Sequence, residues 1–426
     1  MRSFFTFISV IYFTVSLFAQ DTITVVQYNL TYYGRYTDFC TEDNNNVATK
    51  TDYLKTIVSY LEPDIFGINE ITDDAAYHDY ILNNVFILNG FENYKRSEVL
   101  GSYLTTQVFY NASKLVKQRV YTVYAYPRDI YIHRFYFRTS GLEQGDTVFL
   151  NIIEAHLKAG STTENAEARA DAVSNLMQFI NSHGNDNFLF MGDLNLYTSS
   201  EQAYQYATSS SLSQYYFYDP VGSGNWHDNA DFALYHTQST NYYSDNCRSG
   251  GGLDDRFDFM LYTQPLKDGT QGIKALSETF SVVAQDGQHF NSAVDYQGNN
   301  TVPEEVLIAL KNNSDHLPIT MKLYLDAQPA YTNIETYSIQ KAFSLINTFV
   351  QDELTINVNT NDLLWSQNVF YKVYDISGRI YKEGMFKVNG NQLNYTISGF
   401  AQMPAGIYFI SFRWAGKVYT EKFVHF

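Results

Sequence analysis

The chain is poor in cysteine, in positive charge and in long apolar runs. Only two cysteines occur among its 426 residues, Cys40 and Cys247. Two thiols without matching histidines are too few for a structural zinc site. In an exported chain an even pair reads as one disulfide joining two loops, the alternative being two buried free thiols. Basic residues are scarce as well: 28 Lys and Arg stand against 45 Asp and Glu, a formal net charge of −17. That balance removes any global electrostatic pull toward nucleic acid or an anionic membrane. A chain that handles phosphates on this background must do so locally, with metal ions and a few basic side chains. Beyond the N-terminus no stretch is long and apolar enough to span a membrane. There are no internal repeats and no low-complexity tract.

What is plentiful is aromatic surface. The 37 tyrosines suit half-wet sheets and loops, and a hydrophobic content of 45% provides for a large core. The length admits two or three domains. At the start, Arg2 precedes an apolar run from Phe4 to Phe18, and Ala19 offers a cleavage point before Gln20-Asp21. The run is too short for a comfortable span, so residues 1–19 are expected to be a signal peptide, with Leu17 larger than the usual residue at its place before the cut.

The stretch around which the rest is organised is Phe188-Leu189-Phe190-Met191-Gly192-Asp193-Leu194-Asn195. Its apolar half reads as a buried strand, and Gly192 is a place where the backbone can turn or be approached closely. Asp193 and Asn195 are two residues apart, so in extended backbone they point the same way. A carboxylate and an amide leaving a core strand together suit holding a water and a phosphoryl oxygen. An ordinary Asp/Asn turn is the alternative.

Other stretches follow the same plan. Ile23 to Asn29 alternates like a strand and ends on Asn29. Val47, Thr51, Leu54, Val58 and Leu61 fall at helical spacing, and Pro63 stops that helix. Asp64 to Glu70 is apolar on both faces, as in a sheet covered on both sides. Strands are expected at Val108 to Tyr110, Ile130 to Phe137 and Thr147 to Glu154, the last delivering His156. Ser161-Thr162-Thr163-Glu164 reads as a capping box before a stripe of Ala166, Ala170, Val173, Met177 and Ile180. Asn313 to Pro318 precedes a last strand, Ile319 to Leu325. After Asp326 short alternating segments signal a small all-β module.

Polar landmarks thus sit at or just after strand ends: Asn29, Glu70, His156, Asp193 with Asn195, Asp258, and Asp315 with His316. Ends of sheet strands are where side chains escape core packing and converge. In this order the pieces Val26-Gln27-Tyr28-Asn29, Pro63 to Glu70, Ala155-His156-Leu157-Lys158, Gly192-Asp193-Leu194-Asn195, Arg256-Phe257-Asp258-Phe259-Met260-Leu261 and Ser314-Asp315-His316-Leu317-Pro318 resemble the endonuclease/exonuclease/phosphatase superfamily, the group typified by deoxyribonuclease I. The resemblance covers residues 22 to 326. It implies an α/β fold, a four-layer sandwich of two packed mixed sheets flanked by helices, that hydrolyses phosphodiesters with a divalent metal. Magnesium is the expected ion, with manganese or calcium as alternatives. Glu70 would bind the metal, with Asp315 assisting. Asp193 would orient or deprotonate the attacking water, with Asn29 and Asn195 positioning water and phosphate. His316, paired with Asp258, would stabilise the anionic transition state, and His156 would serve the leaving group. Two departures stand out. Thr31 occupies the position where abasic-site members carry a second metal carboxylate, and Asn69 precedes Glu70 where Gln is usual. Arg128, Arg134 and Arg138 have equal claims as phosphate contacts and as solvated strand residues, and are left outside the site.

The C-terminal module resembles the type A sorting domain of the type IX (Por) secretion system, through Tyr374 to Arg379, Met403 to Tyr408, and Lys417, Tyr419, Lys422 and Phe423. The domain plan is a signal peptide over 1–19, a catalytic domain over 20–326, a linker over 327–344 and a sorting domain over 345–426. The resemblance implies a secreted or cell-surface protein that engages the type IX machinery and acts as a monomer on nucleic acid. A sphingomyelinase, phospholipase C-like enzyme or inositol-phosphate phosphatase on the same fold is the first alternative. Tyr215-Tyr216-Phe217-Tyr218 is the candidate hairpin for lipid insertion. A non-catalytic adhesin is the second alternative.

Overall fold

Alternating apolar residues build the first part of the chain into strands. The computed structural model describes residues 22–139, 142, 147–326, 343–358, 367–375, 378–388, 394–414 and 417–426. The expected signal peptide lies outside these residues, as does the expected linker up to residue 342. The strands are β1 (Thr22–Tyr33), β2 (Ile65–Thr72), β3 (Tyr94–Arg96), β4 (Leu104–Asn111), β5 (Leu115–Val123), β6 (Ile130–Phe137), β7 (Phe149–His156), β8 (Phe188–Asp193), β9 (Phe217–Tyr218), β10 (Asp258–Thr263), β11 (Ile273–Val282) and β12 (Ile319–Leu325). They form two six-stranded sheets, ordered β11-β12-β1-β2-β4-β3 and β5-β6-β7-β8-β10-β9. Each sheet is mixed: β1 runs parallel to β2 and antiparallel to β12, and β7 runs parallel to β8 while β10 opposes β8.

Period-two alternation decides which way each strand's side chains go. Leu189 and Met191 of β8 enter the core between the sheets, with Leu150 and Ile152 of β7 and Met260 of β10. Phe188 and Phe190 enter a second cluster beneath helices α3 (Thr163–His183) and α4 (Gln202–Thr208). The first sheet is covered on its far side by α1 (Val47–Leu61) and α6 (Glu304–Asn313), whose Leu54, Ile57, Val58, Val306 and Leu310 are buried. The layers are therefore helix, sheet, sheet, helix, as expected.

Local chemistry sets the boundaries. Asn46 caps α1 by accepting from the Thr49 N–H, and Glu62 ends it in left-handed backbone just before Pro63. At α3 the cap is Thr162, which accepts from the Asn165 N–H, so the helix starts one residue later than a box opening on Ser161. β5 and β11 have no counterpart in the sequence reading. Both are edge strands with half-exposed faces, so their apolar period is weak.

The C-terminal module is described from residue 343 on. It packs a sheet of β13 (Phe343–Leu345), β15 (Glu353–Val358) and β18 (Asn394–Ser398) against one of β14 (Phe349–Val350), β20 (Lys417–His425), β19 (Gly406–Trp414), β16 (Gln367–Asp375) and β17 (Ile380–Val388). Phe343, Ile356, Val369, Val373, Ile410 and Phe412 form its core. Among the described residues, no helix is long and apolar enough to cross a membrane.

Cys40 and Cys247 are joined in a disulfide across 207 positions. It ties the loop after β1 to the long loop before β10, where Asn44 Nδ2 also donates to the Asp245 carbonyl at 2.9 Å. Closing so long a loop restricts the unfolded chain, an effect on the order of 3–5 kcal/mol. The Cys40→Ser/Cys247→Ser variant is expected to melt about 10 °C lower by calorimetry; an unchanged melting temperature would show that the bridge contributes nothing.

Candidate active site

The register of the two sheets brings the polar strand ends to one place. In the first sheet Asn29 is level with Asn69, the neighbour of Glu70, and Gln27 is level with Ile319, three residues after His316. In the second, His156 and Asp258 are both level with Asp193. All six strand ends lie at the same edge of the sandwich.

Non-glycine residues in left-handed backbone break the regular pairing here: Thr31 (φ 46°), Tyr32 (φ 54°) and Glu70 (φ 59°) make bulges in β1 and β2, and Asn195 (φ 50°) follows the end of β8. Each costs about 1–3 kcal/mol, and such strain is kept where surrounding contacts over-determine it. Gly192, at φ 140°, is required for a different reason: a Cβ there would collide with the Ala155 carbonyl of the neighbouring strand.

The side chains then meet. Asn29 Nδ2 donates to Glu70 Oε1 at 3.1 Å and to Asp193 Oδ2 at 3.0 Å, while Asn29 Oδ1 accepts from the Thr31 N–H at 2.9 Å. Asn195 Nδ2 and backbone N–H both donate to Asp193 Oδ1, at 2.8 and 3.1 Å. His156 Nε2 lies 3.7 Å from Glu70 Oε1 and 3.6 Å from Asp193 Oδ2. His316 Nδ1 is 2.7 Å from Asp258 Oδ2, and its Nε2 is 3.8 Å from Asp193 Oδ2. Asp315 is held by Thr31 Oγ1, by the Ser249 N–H at 2.8 Å and by Gln238 Nε2 at 3.2 Å. All the residues named from the sequence therefore occupy one site, Asp315 on its Thr31 and Ser249 side.

Burial and crowding decide the charges. Burial, with Asp258 and Glu70 nearby, pushes the Asp193 carboxyl up to about 7, against the lowering influence of His316. Burial and Asp315 raise Glu70. Burial opposes a charge on His316, but Asp258, Asp193 and Asp315 outweigh it and lift its pKa to about 10. Burial, with Arg128 and His316, pulls His156 well below its ordinary value, so it is a neutral imidazole. For Asp315 burial is outweighed by His316 and by the hydrogen bonds of Thr31 and Ser249, and its carboxyl stays low.

Among the described residues, one trio offers metal-ligand atoms close together: Glu70, His156 and Asp193, all within 4.8 Å of one another. Two carboxylates facing each other with a neutral imidazole fit a divalent cation. The oxygens suit magnesium, and the nitrogen widens the choice toward manganese.

Three further side chains contribute: Arg128, which the sequence offered as a phosphate contact but left outside the site, and Lys50 and Gln238, which it did not single out. Arg128 donates from Nε to the His156 carbonyl and from Nη2 to the Leu157 carbonyl, both at 2.9 Å, and faces Glu70 and Asp193 electrostatically. Lys50, buried on α1, donates to the Leu30 and Thr31 carbonyls at 2.6 Å and to Asn45 Oδ1 at 2.9 Å. Burial lowers its pKa to about 7. The Gln238 amide lies 2.9 Å from His316 Nε2. None of these has a local motif; Lys50 reads only as a helix residue. Arg134 pairs with Asp186 instead, and Arg138 Nε bonds the Ala112 carbonyl. Tyr215 to Tyr218 is not an exposed hairpin either: Phe217 is buried, and Tyr215 and Tyr216 pack on the outer cluster.

Comparison with known proteins identifies the C-terminal module. Residues 350–425 match the model of the secretion system C-terminal sorting domain. The module is a type IX sorting domain. It marks the chain for the cell surface or the exterior. No curated protein matches the chain. Solved structures similar to it include TDP2 of D. rerio complexed with single-strand DNA product, at 16% identity over 71% of this chain and 98% of that one, with a TM-score of 0.46. An endonuclease/exonuclease/phosphatase family protein from Bacteroides thetaiotaomicron is 13% identical over 72% of this chain and 96% of its own, with a TM-score of 0.43. A mannosyl-6-phosphatase of the same organism is 12% identical over 71% and 100%, with a TM-score of 0.43.

A carboxyl raised from 3.8 to about 7 keeps a proton in the folded state that the unfolded chain has lost, so ionising it as pH rises through that window lowers stability. Asp193→Asn removes this cost. In EDTA at pH 8 it is expected to melt higher than the parent chain, by about 2–4 °C per kcal/mol gained; calorimetry showing an equal or lower value would contradict the assignment.

Proposed function

We propose that the chain is a secreted, divalent-metal-dependent phosphodiesterase, and that its substrate is nucleic acid, cleaved as by an endonuclease. The observation that carries this reading is the meeting of Glu70, Asp193 and His156 with the His316–Asp258 pair at one edge of the sandwich. Glu70 would hold the cation, with Asp193 beside it and Asp315 assisting from the Thr31 side. When bound, the cation supplies charge neutralisation at the phosphoryl oxygens and a more acidic water.

The remaining work falls to side chains. Asp193 would accept the proton of the attacking water; without the cation burial lifts its carboxyl to about 7, and a cation beside it would lower that. Asn195 fixes the rotamer of Asp193 by donating twice to Oδ1. Asn29 offers its amide to the oxygens around the phosphorus. His316, kept cationic by Asp258, would donate from Nε2 to a non-bridging oxygen. Neutral His156, beside Arg128, stands on the leaving-group side.

One observation favours the alternative of a small phosphodiester or an inositol phosphate. Cations near the site are few and mostly engaged. Arg128 bonds two carbonyls, Lys158 bonds the Ala159 carbonyl, and Arg248 is held by Asp245. Duplex binding relies on several phosphate contacts. The burial of Phe217 removes the lipid-insertion argument, so a small soluble ester is the stronger form of this alternative.

Plasmid nicking with magnesium tests the main reading. Asp193→Ala and His316→Ala are each expected to lose at least about 10²-fold in rate. Full cleavage by both variants would refute the site. The salt dependence of nucleic-acid binding is expected to be shallow, with a log–log slope of roughly −1 to −2. A steep slope would point to a phosphate-tracking surface that the scarcity of free cations argues against.

A further inference from the structure

Behind the site, in the apolar layer between the two sheets, lie polar side chains that the chemistry above does not use. Gln27, Asn69 and Glu154 are fully buried. Asn69 Oδ1 accepts from Gln27 Nε2 and from the backbone N–H of Asp193, each at 2.7 Å. Asn69 Nδ2 donates to Glu154 Oε1 at 2.9 Å. Gly67 makes room for the group. A Cβ at that position would collide with Glu154 Oε2 and lie 2.6 Å from Gln27 Oε1. Neither oxygen has a hydrogen-bond partner among the described residues.

The strands involved matter more than the bonds alone. Asn69 and Glu70 are neighbours on β2 of the first sheet. Glu154 lies two residues before the end of β7, and Asp193 ends β8, both in the second sheet. At Glu70 (φ 59°) β2 bulges before it pairs again at Ile71. The bond from the Asp193 N–H to Asn69 ties one sheet to the other directly behind the two carboxylates. In a dry layer an amide has to make its bonds, and the three that Asn69 makes fix its orientation.

We propose that Asn69 and Glu154 are positioning residues, a hydrogen-bonded clamp between the sheets that sets the separation of Glu70 from Asp193 and thereby the fit of the cation. The proposal rests on the reading of Glu70 and Asp193 as a metal site. It assigns a use to Asn69 and Glu154, which the chemistry above leaves without one.

The test is Mn²⁺ binding to the full chain without substrate, followed by electron paramagnetic resonance of the free ion, with thermal melting in parallel. Asn69→Leu and Glu154→Leu are expected to melt cooperatively and to bind Mn²⁺ about 10–100-fold more weakly than the parent chain. Glu154→Gln keeps the acceptor for Asn69 Nδ2 and is expected to bind within about twofold of the parent, since a merely space-filling role would not distinguish it from leucine. Should the leucine variants fail to fold, Asn69→Ser, too short to reach Glu154, carries the same expectation. Folded leucine or serine variants that bind Mn²⁺ as tightly as the parent would overturn the clamp. So would a Glu154→Gln variant as weak as Glu154→Leu. A parent chain that binds Mn²⁺ but cleaves no phosphodiester would sink the functional reading and leave the clamp standing, whereas a parent that binds none would remove both.

Discussion

Two buried or half-buried carboxylates from different sheets are held face to face by a single amide. Glu70 belongs to the first sheet and Asp193 to the second, and the Asn29 side chain donates one hydrogen to each. Left alone, the two charges would drive the sheet ends apart, because in a poorly solvated edge their repulsion is hardly screened. Everything else at this edge serves that contact. The apolar faces of β1, β2, β7 and β8 bring the sheets together, Gly192 allows β8 to approach the Ala155 carbonyl, and the left-handed turns at Thr31, Glu70 and Asn195 keep the side chains out of the core.

The site carries more negative charge than its surroundings can answer. His316 answers part of it, sharing Asp258 and facing Asp193. Lys50 answers another part from below, where its side-chain nitrogen gathers the Leu30 and Thr31 carbonyls at the bulge of β1. Arg128 adds a third contribution from the β7 side. What remains shows as the raised carboxyls of Glu70 and Asp193. A site with this residue of uncompensated charge is poised to gain stability from a cation, and a chain that the sorting domain directs outside the cell meets such ions in its medium.

How much of this was legible depended on whether the signal was local. The strand from Ile23, the helix from Val47 to Leu61 and the strand reaching Asp193 carry their periodicity in contiguous residues and each formed, though β1 runs past Asn29 to Tyr33 and β2 past Glu70 to Thr72. So did Asp258 and His316, whose short motifs sit at strand starts and meet as a pair. Edge strands such as β5 and β11 were invisible, because half-solvated faces have no need of an apolar period. Lys50 and Gln238 were equally invisible, and Arg128 was visible only as one of three arginines with equal claims. Their contacts with the site reach residues 19 to 78 positions away.

The amino-acid sequence by itself determined the list of chemically capable residues, the layered α/β architecture and the all-β module that follows. It did so because alternation, capping and turn chemistry are short-range and survive without knowledge of the fold. The tertiary structure alone decided which carboxylates share a site, that Cys40 meets Cys247, that Tyr215 to Tyr218 packs inward, and which proton each acid holds. Those outcomes depend on the register of one sheet against the other and on how much water is excluded between them, and neither quantity is written in any single stretch of the chain.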